Sequence, residues 1–338
     1  MVTIGVGNTG MLLASKFDDD PILISTAHQD TVNFNDKEVY SFSEEGASKR
    51  FRAGAKIWSK SFEELIEVCE LVNEEKVIVF SSLGGGSGSS CLNPLSRILL
   101  RNNNRVLLVG ILPYKKEINP PLANAVQALN SLMPIIQRVS VLIFDNEKLR
   151  KTLGNDWEEI NRYIIKRVDY IVNMIKKYSI DKYSPLTLDQ SELDSVVFGG
   201  GFIDLSNSFL EDGNPKFEYG KLDKETKNIL IAMYVDHTID NVDNYHNILT
   251  GVIDKISGRT TNARMIPGIL RGKIVNTYSA EGVTDRAYIT IASGLNIDKY
   301  LVKIEKLRDL AIKKASVFAE EYKGEKFIDR SDNKLLDI

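Results

Sequence analysis

Through residue 145 the chain alternates short β-branched runs with longer stretches of helical periodicity, which restricts it to a parallel sheet whose crossovers carry helices on both faces. Strands are expected at Val2–Val6, Pro21–Ser25, Lys76–Ser81, Val106–Leu112 and Val139–Phe144. Between them Phe62, Leu65, Ile66, Cys69 and Val72 recur at helical spacing, as do Leu122, Val126, Leu129 and Leu132. One long helix is then expected from Trp157 to Tyr178, its stripe of Ile160, Ile164, Val168, Ile171 and Ile175 flanked by Arg and Lys. Such a helix can connect two domains. After Pro185 the pattern changes to shorter strands, Gly-rich turns and helices, with strands at Lys273–Tyr278 and Arg286–Ala292, as a smaller α+β domain requires. A last helix, Ile297–Tyr322, aligns Ile304, Leu307, Ala311, Ala315, Phe318 and Tyr322 and breaks at Gly324.

A chain of 338 residues, 43% hydrophobic and 26% charged, has enough apolar material for about two domains. Its net charge of −3 offers no basic excess to nucleic acid or to a membrane, so neither is expected as a direct partner. Cys69 and Cys91 sit in apolar helical patterns and read as buried reduced thiols, which fits a cytoplasmic protein. The start Met1-Val2-Thr3-Ile4-Gly5 shows no basic region followed by an apolar h-region, and no apolar run approaches the ~20 residues of a membrane span.

Two glycine-rich segments carry the chemistry. Gly5-Val6-Gly7-Asn8-Thr9-Gly10 closes the first strand and opens a helix, so backbone N–H groups can face an anion there. The same spacing satisfies the dinucleotide fingerprint of nicotinamide and flavin oxidoreductases, although the second strand ends Ser25-Thr26-Ala27-His28 without the carboxylate a ribose would want. The second segment, Ser82-Leu83-Gly84-Gly85-Gly86-Ser87-Gly88-Ser89-Ser90, again joins a strand to a helix. Its glycines let the backbone curl around phosphate oxygens, and the Ser87 and Ser89 hydroxyls are placed to donate to them. No Lys-Ser or Lys-Thr follows, so it is not a Walker A loop; a flexible Gly/Ser linker is the alternative. A branched side chain at Gly86 or Gly88 is expected to abolish nucleotide binding and leave a folded monomer.

Gly84–Ser90 resembles the tubulin/FtsZ signature Gly-Gly-Gly-Thr-Gly-Ser/Thr-Gly, with Ser87 replacing Thr and Ser90 the last Gly. The Gly5–Gly10 segment is similar to that family's first nucleotide loop. Ile24-Ser25-Thr26-Ala27-His28-Gln29 resembles its Ile-Asn-Thr-Asp-x-Gln, with Ala27 where Asp stands. Gly46-Ala47-Ser48 to Gly54-Ala55 is similar to the third loop, which senses the γ-phosphate in this family; solvated charge is the alternative for Arg50 and Arg52. Val141-Leu142-Ile143-Phe144-Asp145-Asn146-Glu147-Lys148-Leu149 resembles the strand and sugar-contacting loop. Asn161 matches the family Asn whose amide reads a guanine edge, an exposed helical Asn being the alternative. Ala287–Gly294 is similar to a late strand of FtsZ.

The resemblance implies an α/β fold: a Rossmann-like GTPase domain over 1–156, a central connecting helix over 157–180, an α+β activation domain over 181–296, a C-terminal helix over 297–323 and a tail over 324–338. It implies GTP or GDP on Gly5, Gly7, Asn8, Thr9, Gly10, Ser25, Gly84, Gly85, Gly86, Ser87, Gly88, Ser89, Asn146, Glu147 and Asn161, together with Mg²⁺. No residue is assigned as a metal ligand; His28, His237 and His246 lack ligand spacing.

Leu186-Thr187-Leu188-Asp189-Gln190-Ser191-Glu192-Leu193 resembles the family's synergy loop, Asn-x-Asp-x-x-Asp/Glu, which implies catalytic roles for Asp189 and Glu192 in orienting a water against the γ-phosphate. About 22 helical residues at ~1.5 Å rise span roughly 33 Å, so this loop is expected at the far end from the nucleotide, where a second copy of the chain completes the site. The same residues also spell a capping box, Asp189 as N-cap and Glu192 three residues on. Gly199-Gly200-Gly201 reads as a strand bend. The implied assembly is a head-to-tail homopolymer whose heterologous interfaces stay open. Length and the departures resemble the divergent phage and plasmid tubulins of the PhuZ and TubZ type, which implies filaments that position or segregate phage or plasmid DNA through a cargo or adaptor protein. In those relatives a charged tail docks on the next subunit, for which Phe327, Ile328, Asp329, Asp332, Leu335, Leu336 and Asp337 are the candidates; a solvated tail is the alternative.

Overall fold

The structure, a computed structural model, describes residues 1–34, 36–114, 117, 121–177, 188–209, 215–235, 242–271 and 287–314. The chain divides into two compact units, one of Met1–Ile135, Phe144–Ile160 and Lys299–Ile338, the other of Ile136–Ile143 and Asn161–Asp298.

In the first unit β1 (Val2–Val6), β2 (Ile22–Ser25), β3 (Val39–Ser41), β4 (Lys76–Ser82) and β5 (Arg105–Leu112) lie in the order β3-β2-β1-β4-β5, every pair parallel. Val77–Phe80 and Val106, Leu107 and Val109 are fully buried, the continuous apolar run of strands covered on both faces. The crossovers carry α1 (Gly7–Phe17), α2 (Phe51–Lys60), α3 (Phe62–Glu70), α4 (Gly86–Arg101) and α5 (Pro121–Leu132). Successive strands run outward from β1 through β2 to β3, and from β4 to β5 in the opposite direction. The strand order therefore reverses between β1 and β4, and the carboxyl ends of those two strands are the place where open α/β sheets form a crevice and take ligands.

β2 starts one residue after the expected Pro21, which has no N–H to give a ladder. The short edge strand β3 was not expected, because three residues carry no readable alternation.

β6 (Val139–Asp145) leads from the second unit back into the first, where α6 (Asn146–Leu153) follows. The division falls again within α7 (Trp157–Lys177), the expected long helix, whose Ile160, Ile164, Val168 and Ile171 are buried. The second unit adds α8 (Gln190–Val197), β7 (Gly201–Phe209), β8 (Asn228–Val235), α9 (Val242–Ser257), β9 (Arg264–Arg271) and β10 (Ala287–Ser293). Its strands lie in the order β6-β7-β10-β8-β9, with β6–β7 and β8–β9 parallel and both pairings of β10 antiparallel. Gly200 (φ +83) and Gly201 (φ +86) form the left-handed turn into β7, where a Cβ on Gly200 would lie 2.3 Å from the Gln137 carbonyl oxygen.

α10 (Asp298–Lys314) belongs to the first unit from Lys299 onward. The expected strand Lys273–Tyr278, the residues Leu186 and Thr187, His237, the helix from Ala315 to Tyr322 and the whole tail lie outside the described residues. Among the described residues no helix is long and apolar enough to cross a membrane.

Candidate functional site

Both glycine-rich turns end as helix N-termini beside the strand-order reversal. α1 opens at Gly7 directly after β1, and α4 at Gly86 just after β4. Neither has a side-chain cap: the N-cap residues are Val6 and Gly85, neither makes a side-chain capping bond, and no acidic residue stands in either first turn. Free N–H groups and two positive dipole ends are therefore left for an anion. The two ends adjoin, since a Cβ on Gly7, which holds φ +67, would lie 3.3 Å from the Gly88 nitrogen. Asn8 is exposed and Thr9 half-buried, while Gly10 carries no side chain because α1 rests there on β4: its Cβ would be 2.3 Å from the Phe80 carbonyl oxygen.

Within the second turn the glycines have different tasks. Gly86 is packed under the preceding loop, where a Cβ would meet Ala47 Cβ at 2.7 Å and the Arg50 nitrogen at 2.8 Å. At Gly88 it would meet Ser81 Oγ at 2.4 Å and the Ser82 carbonyl oxygen at 2.7 Å. A branched residue at either position would clash inside the protein, contrary to the expectation of a folded monomer. Gly85 alone faces open space, with nothing within 4 Å and a φ of −80° that any residue adopts. Nor are the serine hydroxyls turned to a ligand. Ser87 Oγ lies 2.5 Å from Thr26 Oγ1, Ser89 Oγ donates to the Gly85 carbonyl, and Ser90 Oγ donates to the Gly86 carbonyl at 2.6 Å. Anion binding thus falls to backbone N–H groups.

Ser90, where the family signature has Gly, also accepts the buried Trp58 indole N–H at 3.0 Å, which fixes α2 against the first turn of α4. Ser25 is fully buried; its hydroxyl donates to Asp30 at 2.6 Å and accepts the Ala27 N–H at 3.2 Å, so it shapes the edge of the crevice and does not reach into it. Ala27 lies under Gly46, whose Cβ would be 2.6 Å from its own.

At the end of β6, Asp145 caps α6, accepting the N–H groups of Glu147 at 2.9 Å and Lys148 at 3.4 Å, and its other oxygen accepts the Tyr300 hydroxyl at 2.7 Å. The cap presents Asn146 and Glu147 together. Asn146 Oδ1 is buried with no donor among the described residues, whereas Glu147 pairs with Lys151 at 3.4 Å. Trp157 opens α7 one turn ahead of the half-buried Asn161 and is 45% exposed, against 1% for Trp58. Sequence reasoning passed over this indole, although a Trp at the first position of a helix cannot be covered by a preceding turn. Arg150 stands 5.2 Å from its ring and 3.9 Å from that of Tyr114.

The capping box at α8 forms in both directions: Glu192 N–H donates to Asp189 Oδ1 at 2.7 Å, and Asp189 N–H to Glu192 Oε2 at 3.1 Å. The Glu192 N–H, followed by the Ser191 hydroxyl, holds the Asp189 carboxyl below its ordinary range. Asp189 is exposed and Glu192 half-buried, so Asp189 is the more open carboxylate.

A nucleotide's phosphates fit the two uncapped helix ends and the open space over Gly85, and the unpartnered Asn146 carbonyl suits a sugar hydroxyl donor. Protein ligands for Mg²⁺ do not fit in the same way. Ala27 replaces the carboxylate, neighbouring Asp30 is engaged by Ser25, and the described residues contain no cluster of three or more His, Cys, Asp or Glu suited to a metal.

Residues 7–154 match the family described as Tubulin/FtsZ family, GTPase domain. No curated protein matches the sequence. Among solved structures the fold is shared with a GTPγS-form protofilament of TubZ from Bacillus thuringiensis serovar israelensis, at 15% identity over 94% of each chain and a TM-score of 0.71. It is shared too with CetZ2 from Haloferax volcanii, a GTPγS-bound protofilament, at 20% identity, 93% of this chain, 98% of that one and a TM-score of 0.66. An empty FtsZ dimer from M. jannaschii follows at 17% identity, 88% of each chain and a TM-score of 0.59. Residues 7–154, which carry the N-termini of α1 and α4 at the sheet's reversal, are thus similar to the Tubulin/FtsZ GTPase domain, and the chain shares the fold of these solved structures.

Proposed function

We propose that the chain binds GTP and GDP with their phosphates on the N-termini of α1 and α4, hydrolyses GTP, and assembles head to tail into filaments. The observation that carries this reading is the meeting of two helix ends, free of side-chain caps and of carboxylates, at the strand-order reversal. Backbone amides of Gly7–Gly10 and Gly85–Gly88 bind phosphate, Asn146 and Glu147 lie at the sugar, and Asn161 reads the base. Asp189 and Glu192, supplied by a second copy, orient the attacking water. The TubZ and CetZ2 neighbours, a GTPγS-form and a GTPγS-bound protofilament, support assembly coupled to nucleotide. The resemblance of the sequence to phage and plasmid tubulins extends the proposal to cytoplasmic filaments that position phage or plasmid DNA through an adaptor.

Calorimetry with GTP, GDP and ATP tests the nucleotide site. Guanine preference is expected, because an amide facing adenine leaves hydrogen bonds unmade, worth roughly 1–3 kcal/mol. Equal affinity for ATP, or unchanged selectivity in Asn161→Ala, removes Asn161 from base recognition. A second reading, a scaffold that binds GTP without turning it over, is favoured by the engagement of both Asp189 and Glu192 in their capping box. Phosphate release in the polymerised state separates the two.

A further inference from the structure

We propose that Asn124 is a positioning residue for the phosphate cradle, latching the loop 46–51 to the glycine run so that the two move as one. The proposal rests on the reading of that run as the phosphate site. Asn124 lies on α5 and is wholly buried. A carboxamide brings two N–H donors and a carbonyl acceptor, and here all find backbone partners. Nδ2 donates to the Lys49 carbonyl at 2.8 Å and the Gly84 carbonyl at 2.9 Å, while Oδ1 accepts the Phe51 N–H at 3.1 Å. A position that needed only volume would hold Leu, since a buried amide is unfavourable unless its groups are paired. The residue type is explained by what it joins. Among the described residues no backbone–backbone hydrogen bond connects the loop 46–51 with residues 82–86.

The loop so held is a strained one. Ser48 (φ 48) and Lys49 (φ 58) are consecutive non-glycine residues in the left-handed region, which persists only where the surroundings over-determine it. Asn124 grips the carbonyl of the second. Gly84 is confined from its other side, where a Cβ would lie 2.8 Å from Pro113 Cβ and 3.0 Å from Pro121 Cβ. The loop in turn presses on the first turn of α4 through Ala47 and the Arg50 backbone. Release of the latch therefore lets the loop relax away from the helix end whose N–H groups face the anion, and the cradle loses its wall.

Asn124→Asp is a selective probe: it keeps the shape and the acceptor for Phe51 and places an oxygen where the donors to Lys49 and Gly84 were. Calorimetry with GTP and GDP, alongside thermal melts, is expected to show a folded variant that binds both nucleotides about tenfold or more weakly than the wild type. A residue that only supports the fold lowers the melting temperature and leaves the dissociation constants of the folded protein unchanged, and that result overturns the latch. Wild-type protein that binds neither nucleotide overturns instead the assignment of the glycine run. If the variant does not fold, hydrogen exchange in the wild type decides. On saturation with GDP the Phe51 amide and those of Gly84–Gly86 should slow together, and a Phe51 amide indifferent to GDP overturns the proposal.

Discussion

At the scale of single residues, the glycine run separates into positions that serve the fold and one, Gly85, that faces open space where the proposed function puts the phosphate. Gly85→Val is expected to leave the melting temperature within a few degrees of the wild type, because its backbone is extended and its Cβ meets nothing, yet to lose GTP binding by about 100-fold in calorimetry as isopropyl carbons fill the phosphate's place. Retained affinity would show that phosphate does not sit over Gly85. The sequence displays the run and its place between strand and helix, but seven glycine and serine letters look alike, and only packing against Ala47, Ser81 and Thr26 sorts them. Asn124 was illegible for the same reason: nothing in Leu-Ala-Asn-Ala marks an amide whose three partners lie about 40 and 75 residues away. The cysteines were legible. Burial pushes the Cys69 thiol up to about 12 and Cys91 well above its ordinary value. The folded state thus holds both protons where the unfolded chain, titrating near 8.5, releases them. Their stabilising share is complete below that pH and is lost as pH rises toward the folded values. Denaturant melts from pH 8 to 10 should show stability falling by up to about 1.4 kcal/mol per pH unit for each thiol, and Cys69→Ala should halve the slope.

Elements were legible where they are long and periodic. α7 starts at the expected Trp157 and is helical to the last described residue before Tyr178, and β1 has the expected bounds, because their apolar spacing persists over many residues or a full buried strand. β3, β7, β8 and β9 were not picked out. β3 is three residues long, and in the second unit the mixture of parallel and antiparallel pairing leaves some strands continuous and others alternating. α8 shows how one motif carries two meanings. Its capping box was written in Asp189 and Glu192, and the structure forms it. Glu192→Ala then removes one cap bond and is expected to destabilise by about 0.5–1 kcal/mol, while Asp189→Ala removes the stronger N-cap and is expected to destabilise more. Because the Asp189 carboxyl is held below its ordinary range, its cap is lost only as pH falls through that lowered value, which hydrogen exchange at the Glu192 amide can follow.

For the whole molecule the proposed function turns on dependence on a second copy. If Asp189 and Glu192 act on a neighbour's nucleotide, a dilute solution holds phosphate cradles without carboxylates, and turnover must appear only on assembly. Specific GTPase activity should rise steeply with protein concentration and vanish below the critical concentration, with light scattering rising on GTP addition and decaying as nucleotide is spent. Glu192→Ala should bind GTP with unchanged affinity, since the cradle on α1 and α4 belongs to the other compact unit, and should still assemble. Its hydrolysis should fall by ~10²–10⁴, the usual loss when a group that orients the nucleophile is removed, so its filaments should outlast those of the wild type. Asp189→Ala distinguishes the two carboxylates. The greater exposure of Asp189 gives it the freer oxygen, and a loss as large as that of Glu192→Ala would make the pair a joint catalyst. Dilute protein that hydrolyses GTP at the assembled rate would place the chemistry within one chain, and both residues would then be left as the cap of α8.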